Sequence, residues 1–394
     1  MKKIILISII FCLAQTGLKS ETKQETLNAI KESESTEENP NFCIKGIIEF
    51  FKIVDILKTD QMPTDEQWHS FIESPGYKEL SEEEFGKKYF KEILTVVFKP
   101  SESKKVQDVI EKYKKMGDYY SWAVPSLIDG FKEAELNRKD ILNYATYLSS
   151  PEVLKKTEKY VSNFLPNAKI DSSFKINFIV FDDSRGYNPA IIGITNTGKY
   201  SKEEMGCLKS KNFDNYLPAV LLIAHEAFHN IRDKMLMFSE PKGLESPIIW
   251  ALNKIENEGI ADLIDKKPLY ESDGCFFSSD DAKRIVREQK AQYAIINSIN
   301  YLLTEISKNE GLTQDLANAI NNIVPRSGHP TGYYMAKIIY SKFGNEYIKT
   351  IATNPFQFFV AYNEAAKTIK STPQFSKEAI DYIKKLEEKY AIKK

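Results

Sequence analysis

The chain has 394 residues, 28% of them charged, with 54 Lys and Arg against 55 Asp and Glu for a formal net charge of −1. That balance gives no basic excess of the kind that binds nucleic acid. With 4 cysteines in the chain, the fold cannot rest on a disulfide framework, and there is no C-x-x-C metal motif.

Residues 1–20 open with Met1-Lys2-Lys3 and an apolar run over 4–13 that is too short to span a bilayer, which reads as an export signal. Cleavage after Ala14 would release a soluble protein, whereas lipidation at Cys12 would leave it anchored at the cell surface. Either way the protein is expected outside the cytoplasm, and no other segment is long enough for a membrane span. Residues 21–41 are rich in Glu, Lys, Ser and Thr and poor in apolar side chains, so a disordered tether is expected. About 370 residues remain after the leader, enough to bury a large core as one elaborated catalytic domain or as a helical lobe plus a catalytic lobe.

Residues 42–166 carry helical patterning. Ile44, Ile47, Ile48, Phe51 and Val54 form one apolar stripe, and Thr64 with Gln67 and Ser81 with Glu84 read as capping boxes opening two more helices. Trp68 and His69 fit a partly buried surface pair better than a metal site. The catalytic domain is expected over 167–394. It begins with two β-rich runs, 174–181 and 190–195, separated by a polar link with Gly and Pro, which predict two strands of a small sheet. The fold class is therefore mainly α, an α+β arrangement with a small sheet and an active-site helix pair.

After Pro218, residues 219–237 contain no Pro or Gly, and Leu221, Leu222, Ile223, Ala224, Phe228 and Ile231 make the predicted helix apolar around most of its circumference. Within it lies His225-Glu226-Ala-Phe-His229, an H-E-x-x-H motif that uses two of the four histidines in the chain. Residues four apart on a helix lie one above the other, so both imidazoles can reach one metal while Glu226 points toward a water on it. A buried glutamate without a partner is costly, and a divalent cation with a water accounts for its presence.

A catalytic zinc ion takes three protein ligands and keeps a fourth position open. The metzincin continuation is excluded, because Arg232 and Met235 stand where that pattern needs Gly and His. A second helix is predicted over 246–265, opened by Ser246-Pro247 and stopped by Lys267-Pro268. Glu258 and Asp262 lie four apart on it, so one carboxylate can bind metal while the other accepts a hydrogen bond from a ligating imidazole. Glu256 is the competing ligand, but its neighbour four on is Ile260, which offers no carboxylate.

H-E-x-x-H followed by a helical E-x-x-x-D resembles the gluzincin clan of zinc metallopeptidases, the thermolysin-like enzymes. The resemblance implies His225, His229 and Glu258 as zinc ligands, Glu226 as general base, and Asp262 as the partner of His225. It also implies that the strand at 190–195 holds extended peptide by backbone hydrogen bonds, although the strands equally well only cover the helix. The gap from His229 to Glu258 is longer than in thermolysin, so the loop over 238–245 must be accommodated. A closer resemblance is to a bacterial family of zinc-dependent peptidases catalogued as a domain of unknown function. Three stretches carry it: Asp65-Glu-Gln-Trp68 through Ser74-Pro-Gly-Tyr77, the core from His225 to Asp262, and Gly328-His329-Pro330-Thr-Gly332-Tyr333-Tyr334-Met335-Ala336.

The last stretch opens an apolar helix predicted over 333–343. Hydrolysis builds negative charge on the carbonyl oxygen, and His329 and Tyr333 are residue types that stabilise it, or alternatively a turn residue and a core aromatic. Further helices are predicted over 281–307, 312–323 and 376–390. The reading is an exported zinc (Zn2+) metallopeptidase acting on peptide or protein substrates, with a metal-bound water activated by Glu226. The alternatives are an inactive zinc-binding surface protein and a zinc hydrolase of a non-peptide amide.

Overall fold

The computed structural model describes residues 39–83, 86–181, 189–194, 210, 218–271, 280–308 and 312–392. The leader, Cys12, most of the tether, Cys207 and Cys275 lie outside the described residues. Among those described, the chain is mainly helical with one small parallel sheet, and it divides into two compact units. One unit comprises the described residues of 1–153, 175–185 and 189–198; the other comprises those of 154–174, 186–188 and 199–394.

In the first unit, α1 (Lys45–Lys58) buries Ile47, Ile48, Phe51 and Val54 of the predicted stripe, together with Phe50 and Leu57. At the start of α2 (Asp65–Ile72), Thr64 accepts from the Gln67 backbone and the Gln67 side chain accepts from the Thr64 backbone, completing the predicted capping box. Of the predicted Ser81–Glu84 box, Glu84 lies outside the described residues. Ser81 itself lies within α3 (Tyr77–Glu83), where its hydroxyl donates to the Lys78 carbonyl at 3.0 Å. Next come α4 (Gly86–Phe98), α5 (Val106–Lys114), α6 (Asp118–Leu136) and α7 (Arg138–Leu148), and then α8 (Pro151–Val161), which runs from the first unit into the second. Phe71, Tyr77 and Phe90 pack ring against ring in the core, and the Tyr77 hydroxyl donates to the Val180 carbonyl at 2.8 Å.

The sheet has the order β1 (Phe42–Cys43), β2 (Ile176–Ile179), β3 (Ala190–Gly193), all parallel, with Phe42 opposite Ile176 and Ile176 opposite Ala190. Both predicted strands are present and belong to the first unit. The two-residue β1 is too short to have shown a period in sequence.

The second unit is built around two long helices, α9 (Pro218–Lys234) and α10 (Ser246–Asp265). Lys267-Pro268 ends α10 as predicted, and the short α11 (Lys267–Glu271) follows at once. The chain continues through α12 (Asp280–Lys308), α13 (Gln314–Ile323), α14 (His329–Ile351), α15 (Pro355–Ala366) and α16 (Lys377–Tyr390), with α10 packed against α9, α13, α14 and α15. The loop after α9 is held by the end of the chain: the Ser239 amide donates to the Tyr390 carbonyl at 2.8 Å and the Ile392 amide to the Met237 carbonyl at 2.9 Å. The long stretch from His229 to Glu258 is taken up by the end of α9, the loop over 235–245 and the first turns of α10. Among the described residues no helix is long and apolar enough to cross a membrane.

α14 starts four residues before its predicted position, at His329, with Pro330 in its first turn and Gly328 at φ +103 before it. Glycine is required there, since a Cβ on Gly328 would lie 2.9 Å from the backbone of Lys254 and Ile255. Further along, Gly259 of α10 meets Gly332 of α14 directly, and a Cβ on Gly332 would lie 2.1 Å from the Ile255 carbonyl oxygen. This backbone contact sets how closely the two helices cross, and it brings the first turn of α14 onto the Glu258 side of α10.

Candidate metal centre

His225 and His229 stand one turn apart on α9 with Glu226 next to His225, and all three are buried. Opposite them α10 presents Asn257, Glu258, Asp262 and Asp265, also buried. The Nε2 atoms of His225 and His229 lie 3.5 and 3.2 Å from Oε2 of Glu258. In a tetrahedral zinc site with bonds near 2.0–2.1 Å, neighbouring ligand atoms stand about 3.3–3.4 Å apart, so this spacing fits one ion among the three.

The hydrogen bonds behind the ligands assign the tautomers. His225 Nδ1 is 2.9 Å from Asp265 Oδ1, and His229 Nδ1 is 2.9 Å from Asn257 Oδ1. A carboxylate and an amide oxygen only accept, so both imidazoles carry their proton on Nδ1 and turn the Nε2 lone pair toward Glu258. Glu258 Oε2, buried between them, makes no hydrogen bond. Three lone-pair donors converging without a proton between them are what a metal ion needs. Glu226 Oε2 is likewise buried and without a hydrogen bond, and Glu226 is not among the residues whose ligand atoms converge.

Electrostatics point the same way. Glu226, Glu258, Asp262 and Asp265 are four buried carboxylates, facing Lys266 in contact with Asp265 and Lys254 at 4.0 Å from Glu258. The carboxylates outnumber the lysines, and this excess of negative charge suits a cation. Burial works against ionisation of Glu258, but the neighbouring His229 and His225 hold its carboxyl well below the usual range. Asp265 is held down to about 2, because Lys266 and His225 outweigh its burial.

The partner of His225 differs from expectation. Asp262 Oδ1 is 3.8 Å from His225 Nδ1, beyond hydrogen-bond reach, and the bond is made by Asp265. Asp262 instead lies 3.0 Å from Nδ1 of His329. Positions 258, 262 and 265 share one helical face, so the second turn supplies the carboxylate that the first turn was expected to supply.

Glu256 faces the other way. It is fully buried against the fully buried guanidinium of Arg232, whose Nε donates to it at 3.2 Å and whose second nitrogen also contacts it, while Asn253 accepts from Arg232 at 2.7 Å. The residue that breaks the metzincin pattern is thus the anchor of α9 on α10. Glu256→Gln is expected to keep zinc stoichiometry at the wild-type level while losing about 3–5 kcal/mol of stability, read by thermal or denaturant unfolding with metal analysis. Loss of zinc at unchanged stability would mean that Glu256 is a ligand.

Of the two expected donors, His329 joins the cluster and Tyr333 stands apart from it. The His329 ring stacks on that of His225 with centroids 5.8 Å apart, its Nδ1 is 3.4 Å from Glu258 Oε2, and its side chain is 24% exposed. Burial lowers its basicity, but Asp262 and Glu258 raise it overall. The Tyr333 hydroxyl donates instead to Glu271 of α11 at 2.5 Å, and Lys337 pairs with the same carboxylate at 3.1 Å. Its ring packs on Tyr270, centroids 4.3 Å apart, and the Tyr270 hydroxyl is the one that reaches Asp262, at 3.3 Å. Tyr270 and Asp265 were not singled out by the motif reading, because only the packing of α11 and α10 against α9 and α14 reveals their partners.

Comparison with curated proteins and with solved structures returns no match. A family model does match, described as "Putative zinc dependent peptidase (DUF5700)", over residues 68–371, a span that includes the H-E-x-x-H helix, α10 and the His329 turn. The chain belongs to this family.

Proposed function

We propose that the protein is an exported zinc metallopeptidase in which His225, His229 and Glu258 hold the metal and Glu226 is the general base. The observation that carries this is the convergence of the two Nε2 lone pairs on the unbonded Glu258 Oε2, 3.5 and 3.2 Å from it, with a second buried unbonded carboxylate oxygen on Glu226, the residue next to His225 in the chain. Bound there, zinc would supply Lewis acidity toward a water and toward the carbonyl oxygen of a peptide. Glu226 takes a proton from the water as it attacks and passes it to the departing amine, and its burial keeps bulk water from competing for that role. His329, held by Asp262, offers its imidazole to the charge that develops on the carbonyl oxygen. Asp265 and Asn257 fix the ligand imidazoles in the tautomer that leaves Nε2 available. Export is supported by the charged start and short apolar run of residues 1–20, with lipidation at Cys12 or cleavage after Ala14 as the two routes.

The test is metal content together with a diverse peptide library. Wild-type protein is expected to bind close to one zinc per chain and to cleave peptides, and His225→Ala to lose both. A protein that never takes up zinc at neutral pH would overturn the proposal, and zinc binding without any peptide cleavage would overturn the peptidase assignment.

A further inference from the structure

Two turns before Glu258, α10 comes to the surface. From Ile248 to Asp265 every residue of the helix is buried except Trp250, Asn253, Lys254 and Leu263, and the Asn253 side chain is taken up by Arg232. Trp250 is 42% exposed and the Lys254 side chain 33% exposed. They share one ridge of the helix with Glu258, since the three stand four residues apart. The Lys254 ammonium lies 6.0 Å from the centre of the Trp250 ring and 4.0 Å from Oε1 of Glu258, whereas Oε2 is the oxygen near the two imidazoles.

Of the two lysines facing the buried carboxylates, Lys266 is closed by direct contact with Asp265, and Lys254 is open. At 4.0 Å its ammonium is beyond hydrogen-bond reach of Glu258, and among the described residues it has only this ion pair and the indole face. The turn before α14 holds it in place, because Gly328 packs on the backbone of Lys254 and Ile255. An anionic group approaching this neighbourhood is repelled by Glu226, Glu258, Asp262 and Asp265 unless a cation receives it, and Lys254 is a partly exposed cation with donors to spare.

We propose that Lys254 is a specificity-determining residue that anchors a carboxylate of the peptide, with the Trp250 indole as platform for the apolar side chain beside it. The inference rests on the zinc-peptidase reading and names its substrate class: peptides that carry a carboxylate close to the scissile bond, either the free C-terminal group or an Asp or Glu side chain. One helical turn, about 5.4 Å along the axis, separates Lys254 from Glu258. A peptide advances about 3.3–3.6 Å per residue, so a carboxylate one or two residues beyond the reacting carbonyl falls within reach of the ammonium. The indole, one turn further along, then meets the side chain of that end of the peptide.

The experiment uses the full-length chain loaded with zinc and carrying Glu226→Gln, so that peptides bind without turnover, and adds Lys254→Met, Lys254→Arg or Trp250→Ala to it. Calorimetry gives Kd for acetyl-Ala-Ala-Phe as free acid and as amide, and for the amides of acetyl-Ala-Glu-Phe and acetyl-Ala-Gln-Phe. The parent protein is expected to prefer a carboxylate about 10–100-fold in one of the two comparisons. Preference for the free acid identifies the terminal carboxylate, and preference for Glu over Gln an acidic side chain. Lys254→Met should abolish that preference, Lys254→Arg should keep most of it, and Trp250→Ala should weaken all four peptides about 5–10-fold while leaving the preference intact. Equal binding of both members of each pair by the parent overturns the proposal, as does a preference that survives Lys254→Met. A uniform weakening of all four peptides together with loss of zinc in Lys254→Met also overturns it, since Lys254 would then be only the counter-charge of Glu258. A Lys254-dependent preference in a chain whose wild type hydrolyses no peptide would count against the peptidase reading and leave the anchor standing.

Discussion

Replacing Glu226 with glutamine is expected to lower peptide hydrolysis by about 10²–10⁴-fold while leaving zinc at the wild-type level, because a base is removed and no ligand is touched. The side chain is 6% exposed and its Oε2 has no hydrogen-bond partner, so the carboxylate is not there to hold the fold. Glutamine matches it in shape and removes a buried negative charge from a site that already holds three other carboxylates. Stability is therefore expected to be unchanged or slightly higher in zinc-free protein. The measurement is kcat on a fluorogenic peptide alongside metal content and unfolding midpoint. A variant that keeps more than about a tenth of wild-type kcat, with its zinc in place, would remove Glu226 from the role of general base. His225→Ala differs in kind, since it would lose activity by losing the metal.

The helices that carry this chemistry were legible because periodicity and punctuation agree in them. Pro218 and Ser246-Pro247 mark the starts of α9 and α10, and the i, i+4 spacing of His225 and His229 places both on one face. The partner network was less legible. The helical face running from Glu258 through Asp262 to Asp265 can be read from spacing, but which carboxylate meets which histidine depends on where α9 and α14 cross α10. Arg232 was visible as a break in one motif, whereas its burial against Glu256 required the packed pair. Helix α15 escaped notice because Phe356, Phe358, Phe359, Ala361 and Tyr362 are all buried and leave no amphipathic contrast, although Asn354 capping before Pro355 was a start signal. Tyr333 was a fair candidate by residue type, and only the long-range arrival of Glu271 commits its hydroxyl elsewhere.

Gly332→Ala is expected to be among the most damaging single-methyl changes available to this chain. The added Cβ would stand 2.1 Å from the Ile255 carbonyl oxygen and 2.6 Å from the Gly259 backbone, so no side-chain rotamer can relieve the overlap. The helices α10 and α14 must move apart, in a region where Ile255, Ile260, Met335 and Ala336 are fully buried. Overpacking a core ordinarily costs about 1–3 kcal/mol, and a clash confined to backbone belongs at or above the top of that range. The same separation draws His329 away from Asp262, while His225, His229 and Glu258 all sit on α9 and α10 and keep their mutual spacing. The expected result is a lowered unfolding midpoint and a kcat loss comparable to His329→Gln, in protein that still binds zinc stoichiometrically. Gly259→Ala approaches the same contact from the other helix, with its Cβ 2.4 Å from the Gly332 backbone, but it lies next to Glu258 and should disturb the metal as well. Unfolding midpoint, zinc content and kcat measured on both variants separate the two effects. A Gly332→Ala protein with wild-type stability would show that the helix crossing tolerates a wider gap, and the glycine contact would then not be what places His329.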